Sequence, residues 1–409
     1  MFDIEKIREE FPILEREVYG RRLVYLDSGA TAQKPRCVVA KMEELLLNDN
    51  ANIHRGVHLL SEEMTAKYEE AREVVRQFVG AEHREEIIFT SGATMSLNLV
   101  ASSYCEKFLH AGDNVVVSHI EHHSNIVPWQ LAVERKGAEL RVIPVDDNGA
   151  LELDKLDSLI DEHTKVVAVT QASNTLGTRP NLAKIIAKAH SVGAVVVVDG
   201  CQGVVHGGVD VKALDCDFYA FSGHKLYGPT GIGVLYGKRE LLDAMPPYMG
   251  GGDMVDKVTF AKTTYAPLPL KFEAGTSNFI GAIGLAEAIK FLQSLPAEEV
   301  EQHEKELLDY ATTELQKIEG LRIYGTTADK TSIISFNVEG CDHYDIGMIL
   351  DKLGVAVRTG HHCAEPVMAR YGTNGVVRAS IALYTNKDDI DALVRGVKRA
   401  VTMLKIKSF

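Results

Sequence analysis

The sequence predicts an α/β protein, with a large domain built on a mainly parallel sheet covered by helices and a smaller α/β domain toward the carboxyl terminus. Three observations carry that expectation. From about Leu23 to Tyr236, short β-branched runs alternate with helix-like stretches, the pattern of successive βα units. Several runs, such as AVVVVD ending at Asp199, are unbroken valine, as strands covered on both faces require. Past a loop-rich section, Met245–Asn278, the texture changes to two long helical stretches and then to strands set between helices.

In chain order, the expected strands are Leu23–Leu26, Glu86–Thr90, Asn114–Ser118, Leu140–Val145, Lys165–Thr170, Ala194–Asp199, Asp217–Phe221 and Gly231–Tyr236. A helix is expected from Glu62 to Val79, with Ser61 as its cap, two glutamates in its first turn and Gly80 as its stop. The loop-rich section, with MGGGDM and several prolines, marks the exit from the first domain. Helices follow at about Phe279–Leu295 and Ala297–Glu319. The last part carries strands at Ser332–Val338, Val355–Thr359 and Gly375–Ala382 between helices at Tyr344–Leu353 and Asp388–Leu404. The domains are therefore expected at 20–278 and 279–409, the second joined by the amino-terminal residues 1–19. No internal repeat, low-complexity tract or heptad run suggests a scaffold.

Composition narrows the function. The 409 residues are 45% hydrophobic, which excludes whole-chain disorder and collagen-like classes. With 44 Lys+Arg against 57 Asp+Glu the net charge is −13, and no basic run exceeds a few residues, so a nucleic-acid partner is not expected. Cys37, Cys105, Cys201, Cys216, Cys341 and Cys363 are scattered without a CxxC pair, which suggests reduced thiols in the cytoplasm. The apolar runs are strand-sized and the amino terminus lacks the apolar core of a signal peptide, so neither membrane nor export is expected. A small-molecule ligand remains.

The strongest chemical feature joins two strand ends, AVVVVDGCQ with Asp199 and Gln202, and DFYAFSGHKLYGPTGIG with Ser222, His224 and Lys225. Ligands of open α/β sheets bind beyond the carboxyl ends of strands, so Asp199 and Lys225 are expected to face one crevice. That pair suits pyridoxal 5'-phosphate (PLP), which needs a lysine for a Schiff base with its aldehyde and a carboxylate to keep its pyridine nitrogen protonated. Singly, Asp199 would merely end a strand and Lys225 would be a surface lysine; the combination with SGHK makes the pair specific. EIIFTSGATMSLNLVAS has the form strand, small-residue turn, helix, and Ser91, Gly92, Ala93 and Thr94 would cap that helix or cradle a phosphate on its N–H groups. SHIEHHSNIVPWQ clusters His119, His122 and His123. These are open to a metal site, a structural cluster, or one imidazole packed over a cofactor ring and moving protons. In VAVRTGHHCAEPVMARYG, Cys363 stands beside Arg358, His361 and His362 and is the best nucleophile of the six thiols. Arg378, in GVVRASIALY, would grip a substrate carboxylate or serve a structural salt bridge.

Together YLDSGATAQKP, NIHRGVHLLS, FTSGAT, EHHSNIVPWQ, ASNTLGT, VDGCQ, FSGHKLYGPTGIGVLY, FEAGTSN and RTGHHCA resemble the class V aminotransferase-like group of fold-type I PLP enzymes. Within it, the similarity is to the SufS-type (group II) cysteine desulfurases, often also selenocysteine lyases. The resemblance implies a large domain with a mainly parallel, seven-stranded mixed sheet plus a small C-terminal domain carrying the nucleophilic cysteine loop. It implies Lys225 as the Schiff-base lysine, Asp199 as pyridinium partner, Gln202 as donor to the ring oxygen and His122 as the stacking acid–base imidazole. Ala93, Thr94, Ser222 and His224 match phosphate-binding positions, and Thr276 one that serves the neighbouring subunit's phosphate, hence a homodimer. Asn174, Arg358 and Arg378 correspond to positions around the substrate carboxylate, and His54 and Arg55 to a pocket-lining loop. The implied reaction converts L-cysteine to L-alanine with a persulfide on Cys363. An acceptor of SufE or SufU type, serving iron–sulfur cluster assembly, would then take the sulfur. No metal is implied. Met95 stands where many relatives have Glu, and Ser277 where many have Pro.

Two rival functions make different demands. A selenocysteine lyase, or a kynureninase- or epimerase-like relative, would keep the cofactor and need no nucleophilic thiol. A metal-dependent hydrolase would use the histidine cluster with His361, His362 and Cys363, and would be colourless and zinc-loaded.

Overall fold

The computed structural model describes residues 2–406; Met1 and residues 407–409, the extreme ends of the expected small domain, lie outside the described residues. Seven strands form the central sheet: β1 (Ile87–Thr90), β2 (Asn114–Ser118), β3 (Glu139–Ile143), β4 (Thr164–Thr170), β5 (Val195–Asp199), β6 (Phe218–Ser222) and β7 (Gly233–Gly237). Their spatial order is β1-β7-β6-β5-β4-β2-β3. Pairings from β3 through β6 are parallel, while β7 runs antiparallel to both β1 and β6, so the sheet is mixed and mainly parallel as expected.

The valine runs are explained by alternation between two buried faces. In β5, Val196 and Val198 join one core cluster while Val195 and Val197 join the other. The first face is covered by α1 (Leu59–Val79), α4 (Leu182–Ser191) and α5 (Phe279–Gln293); the second by α2 (Ala93–Phe108) and α3 (Val127–Lys136). Helix α1 presents Met64, Tyr68, Ala71, Val75 and Val79, the helical spacing of a single apolar stripe. Its cap is His58, whose ring accepts the Ser61 N–H at 3.3 Å, so the helix starts three residues before the expected Glu62. Ser61 is instead buried, with its hydroxyl on the Asn52 carbonyl.

A second sheet, order β8-β9-β11-β10 and antiparallel throughout, comprises β8 (Leu321–Tyr324), β9 (Ile333–Val338), β10 (Arg358–Gly360) and β11 (Val376–Ser380). It packs with α6 (Ala297–Gln316), α7 (His343–Lys352) and α9 (Lys387–Ile406) around a separate apolar cluster. The expected strand Leu23–Leu26 does not enter the central sheet: Val24–Tyr25 pairs in parallel with Val355–Ala356, and Val24 and Leu26 bury in this second cluster. The exit section also holds an unexpected hairpin, Val255–Val258 with Thr263–Tyr265, whose mostly exposed polar residues gave no alternation to detect. Phe11, Tyr227 and Tyr384 meet in a further cluster that ties the amino-terminal segment to both parts, reinforced by the buried Arg8–Asp389 ion pair at 2.8 Å. Among the described residues no single helix is long and apolar enough to cross a membrane.

Candidate active site

Strands β4, β5 and β6 run parallel, so their carboxyl ends bring Thr170, Asp199 and Ser222 to one edge of the sheet. Beyond β6 the chain turns through Gly223–Tyr227, with the Leu226 and Gly228 N–H groups both on the Gly223 carbonyl, and this turn carries His224 and Lys225. It is braced from the amino-terminal side: the His224 carbonyl accepts Lys34 Nζ at 2.9 Å, Thr31 Oγ1 at 3.2 Å and the Ala32 N–H at 3.1 Å. The turn from β1 into α2 contributes Ala93 and Thr94, and the turn after β2 contributes His122. With Gly29, Asn174, Cys201, Arg358, Cys363 and Arg378 these side chains line one cavity of about 250 Å³.

At one end of the cavity lies the amino terminus of α2, whose first N–H groups have no intrahelical acceptors and favour an anion. Here the Ala93 N–H donates to Ser222 Oγ at 2.9 Å, and Thr94 Oγ1 meets Ser124 Oγ at 2.7 Å. The close approach of α2 to β7 depends on glycine, since a Cβ at Gly233 would sit 2.4 Å from Gly92 Cα. Asp199 is buried, with Oδ1 accepting the Cys201 N–H at 3.0 Å. Lys225 lines the cavity, and no carboxylate lies within ion-pair distance of it among the described residues. Burial and the neighbouring Lys225 charge lower the His122 pKa to about 4, against the opposing pull of Asp199. The ring is therefore neutral at pH 7; its Nδ1 accepts the Ser124 N–H at 3.1 Å, which leaves the proton on Nε2. His224 is likewise lowered to about 4 by burial, Lys225 and Lys34. Burial alone lowers Lys34 to about 8.

Cys363 lies in a loop between β10 and the short helix α8 (Glu365–Arg370) and is exposed. Both His362 and Cys363 have positive φ, 55° and 54°, a left-handed backbone that costs about 1–3 kcal/mol per non-glycine residue and persists only where surroundings over-determine it. Asn174 Nδ2 donates to the His362 carbonyl at 2.7 Å, the His123 N–H to the Cys363 carbonyl at 2.8 Å, and the His362 ring meets the Val376 carbonyl at 3.1 Å. His362 is pushed down to about 3 by burial and Arg378.

The two expected carboxylate-gripping arginines face each other across β10 and β11 in register. Asp27, which sequence reasoning missed as a site residue, separates their like charges, binding Arg358 through two nitrogens at 3.0–3.2 Å and Arg378 at 3.2 Å. Arg378 also donates to the Asn174 carbonyl at 2.9 Å. Its Nε, and Oδ1 of Asn174, are buried without a partner, so the cavity wall holds one spare donor and one spare acceptor. Gln202 stands behind the cavity, donating to the Gly29 carbonyl at 2.8 Å. His54, Arg55 and Thr276 do not line it. His54 and Arg55 border a separate pocket, where Arg55 pairs with Asp253 at 2.8 Å, and Thr276 follows the buried Glu273. Met95 and Ser277, where the chain departs from its expected pattern, line one small cavity of about 140 Å³ together.

The histidines do not converge as a hydrolytic metal centre would need. His119 meets the Pro366 carbonyl, His123 meets Glu365 and His362 meets the Val376 carbonyl, and no group of three or more His, Cys, Asp or Glu side chains among the described residues could hold a metal ion. The cavity does fit PLP. A helix amino terminus with Thr94, Ser222 and His224 provides phosphate donors, Asp199 provides the buried carboxylate, Lys225 the amine, and Asn174 and Arg378 the unused polar atoms.

Fold and site thus define a fold-type I PLP enzyme, and the comparisons narrow the class. Residues 24–393 match the aminotransferase class-V family, so the chain belongs to that family. A cysteine desulfurase of Enterobacter sp. (strain 638) is 50% identical over 399 residues, covering 97% of this chain and 98% of its own. Among solved structures, the cysteine desulfurase CsdA from Escherichia coli superposes with a TM-score of 0.92 at 42% identity, covering 98% of this chain and 99% of its own. The apo cysteine desulfurase from Thermococcus onnurineus NA1 gives 0.93 at 38% identity, covering 98% of each.

Proposed function

We propose that the protein is a PLP-dependent cysteine desulfurase that converts L-cysteine to L-alanine and retains the sulfur as a persulfide on Cys363. One observation carries this assignment: Lys225 and the exposed Cys363 face the same cavity from opposite sheets. Bound PLP would supply an electron sink that loosens the substrate's Cα proton and its Cβ–S bond. Lys225, Asp199, Ser222, His224, Ala93 and Thr94 would hold it, with Gln202 behind them on the Gly29 carbonyl. The residues do the rest. Arg378 and Asn174, with Arg358 at the rim, orient the substrate carboxylate, and Nε2 of neutral His122 returns a proton at the cavity wall. Cys363 Sγ bonds to the substrate sulfur as the Cβ–S bond breaks, and the carbon skeleton leaves as alanine once protonated. The same reading extends to L-selenocysteine, which differs from L-cysteine only in its chalcogen.

The division into domains 20–278 and 279–409 with 1–19 is part of the proposal, with the strand Val24–Tyr25 reaching across to the second. So is a homodimer of SufS type. Thr276, His54 and Arg55 lie outside the cavity of their own chain, and Leu46, Leu47, Val57 and Leu59 are exposed, which suits burial against a second copy. The exposed position of Cys363 suits delivery of its sulfur to a SufE- or SufU-type acceptor for iron–sulfur cluster assembly. Six free thiols suit the cytoplasm.

The test measures alanine and sulfide from L-cysteine plus a thiol reductant, with and without acceptor proteins. Lys225→Ala is expected to lose the yellow colour and activity together. Cys363→Ala is expected to keep the colour and lose at least ~100-fold in rate, as for other nucleophiles removed from a working site. Undiminished desulfuration by Cys363→Ala would contradict the assignment.

A further inference from the structure

The strained loop that presents Cys363 is held from inside by Asn174 and by the His362 ring on Val376. On its outer side a different device appears. Glu365, the first residue of α8, donates its N–H to His123 Nε2 at 3.3 Å and places Oε2 2.9 Å from the same nitrogen and Oε1 3.3 Å from His361 Nδ1. One carboxylate thus spans the nucleophile, joining the residue two before it to the turn that carries His122. The same turn is bonded to the Cys363 carbonyl through the His123 N–H. The other charged groups nearby are engaged elsewhere: Arg358 and Arg378 bind Asp27, and Arg370 of α8 binds Asp147.

We propose that Glu365 is a positioning residue which, by bridging His361 and His123, holds the Cys363 loop in its left-handed conformation and couples it to the His122 turn. The inference rests on Cys363 being the sulfur-accepting nucleophile. Glu365 and His361 are exposed and His123 is partly so, and the bridge adds little to global stability. Its effect falls on the placement of one sulfur atom, where misplacement by 1 Å can cost about 100-fold in rate.

The experiment uses the PLP-loaded enzyme and L-cysteine, comparing Glu365→Ala, Glu365→Gln, His361→Ala and Cys363→Ala. Glu365→Ala is expected to lower kcat for alanine formation about tenfold, with KM and the visible cofactor spectrum unchanged, because substrate and cofactor contacts are untouched. Glu365→Gln, which keeps the size of the side chain but removes its charge, is expected to fall between Glu365→Ala and wild type. His361→Ala is expected to fall in the same direction, and it carries the test if Glu365→Ala folds poorly. Wild-type kcat in both Glu365→Ala and His361→Ala, beside an inactive Cys363→Ala, would overturn this inference alone. Full activity in Cys363→Ala would instead overturn the assignment beneath it.

Discussion

Two thiols line the cavity and differ in what their surroundings allow. Cys201 is buried beside Asp199, and burial together with that carboxylate pushes its pKa up to about 12, so it stays a neutral thiol. Cys105, also buried, is pushed to about 12. Cys363 is exposed. Brief treatment with iodoacetamide at pH 7.5 is therefore expected to modify Cys363 first, and peptide mapping that finds Cys201 modified equally fast would contradict this account of the site. Sequence reasoning reached Lys225, Asp199 and Cys363 because each sits in a short local motif whose chemistry needs few neighbours. Asp27 and Glu365 stayed hidden because their partners, Arg378 and His123, are distant in sequence, and only folding reveals the contacts.

At the scale of elements, the phosphate-facing end of the cavity depends on how closely α2 can approach β7. Gly233→Ala would drive a methyl group to 2.4 Å from Gly92 Cα, a backbone atom that cannot move aside without shifting the turn. Overpacking of this kind typically costs about 1–3 kcal/mol, and PLP affinity is expected to fall with it. Chemical denaturation and cofactor titration of the variant check both. A second element-scale anchor is buried under α1. Arg72 donates to both oxygens of Glu273 at 2.7 and 2.9 Å, and Tyr68 donates to the same carboxylate at 2.9 Å. Glu273→Ala would leave the Arg72 charge buried without that partner, at a cost of about 3–5 kcal/mol. A denaturation midpoint equal to wild type would exclude that role. The central strands were legible from sequence because a doubly covered sheet imprints unbroken valine runs. Val24–Tyr25 was assigned to the wrong neighbourhood because a two-residue strand carries no signal for its partner, here Val355–Ala356.

For the whole molecule, titration links the site to stability. In the cofactor-free protein His122 and His362 have pKa values of about 4 and 3, against about 6.5 when unfolded, so the unfolded chain binds more protons below pH 6.5 and stability falls as pH drops. Each imidazole contributes a slope of up to about 1.4 kcal/mol per pH unit; the less buried His224 contributes less. Glu121 acts oppositely. Fully buried beneath the β2 turn, it is raised to about 8, so between pH 4.5 and 8 the native state holds a proton that the unfolded chain releases, and stability falls as pH rises. The imidazoles outweigh the single carboxyl in acid, while toward pH 8 the buried Lys34 and Lys330, both lowered to about 8, lose native-state protons that the unfolded chain keeps and offset the carboxyl, which predicts stability that rises from pH 4.5 to a plateau near neutrality. Urea unfolding across pH 4.5–8 checks this, and Glu121→Gln is expected to turn the plateau into a continued rise toward pH 8. The central claim is tested most directly by treating purified, PLP-loaded enzyme with one equivalent of L-cysteine, without reductant, and weighing the peptide that contains Cys363. The account predicts one added sulfur atom on Cys363 for each alanine formed. Alanine released with the sulfur on another residue, or with Cys363 unmodified and free sulfide in solution, would contradict it.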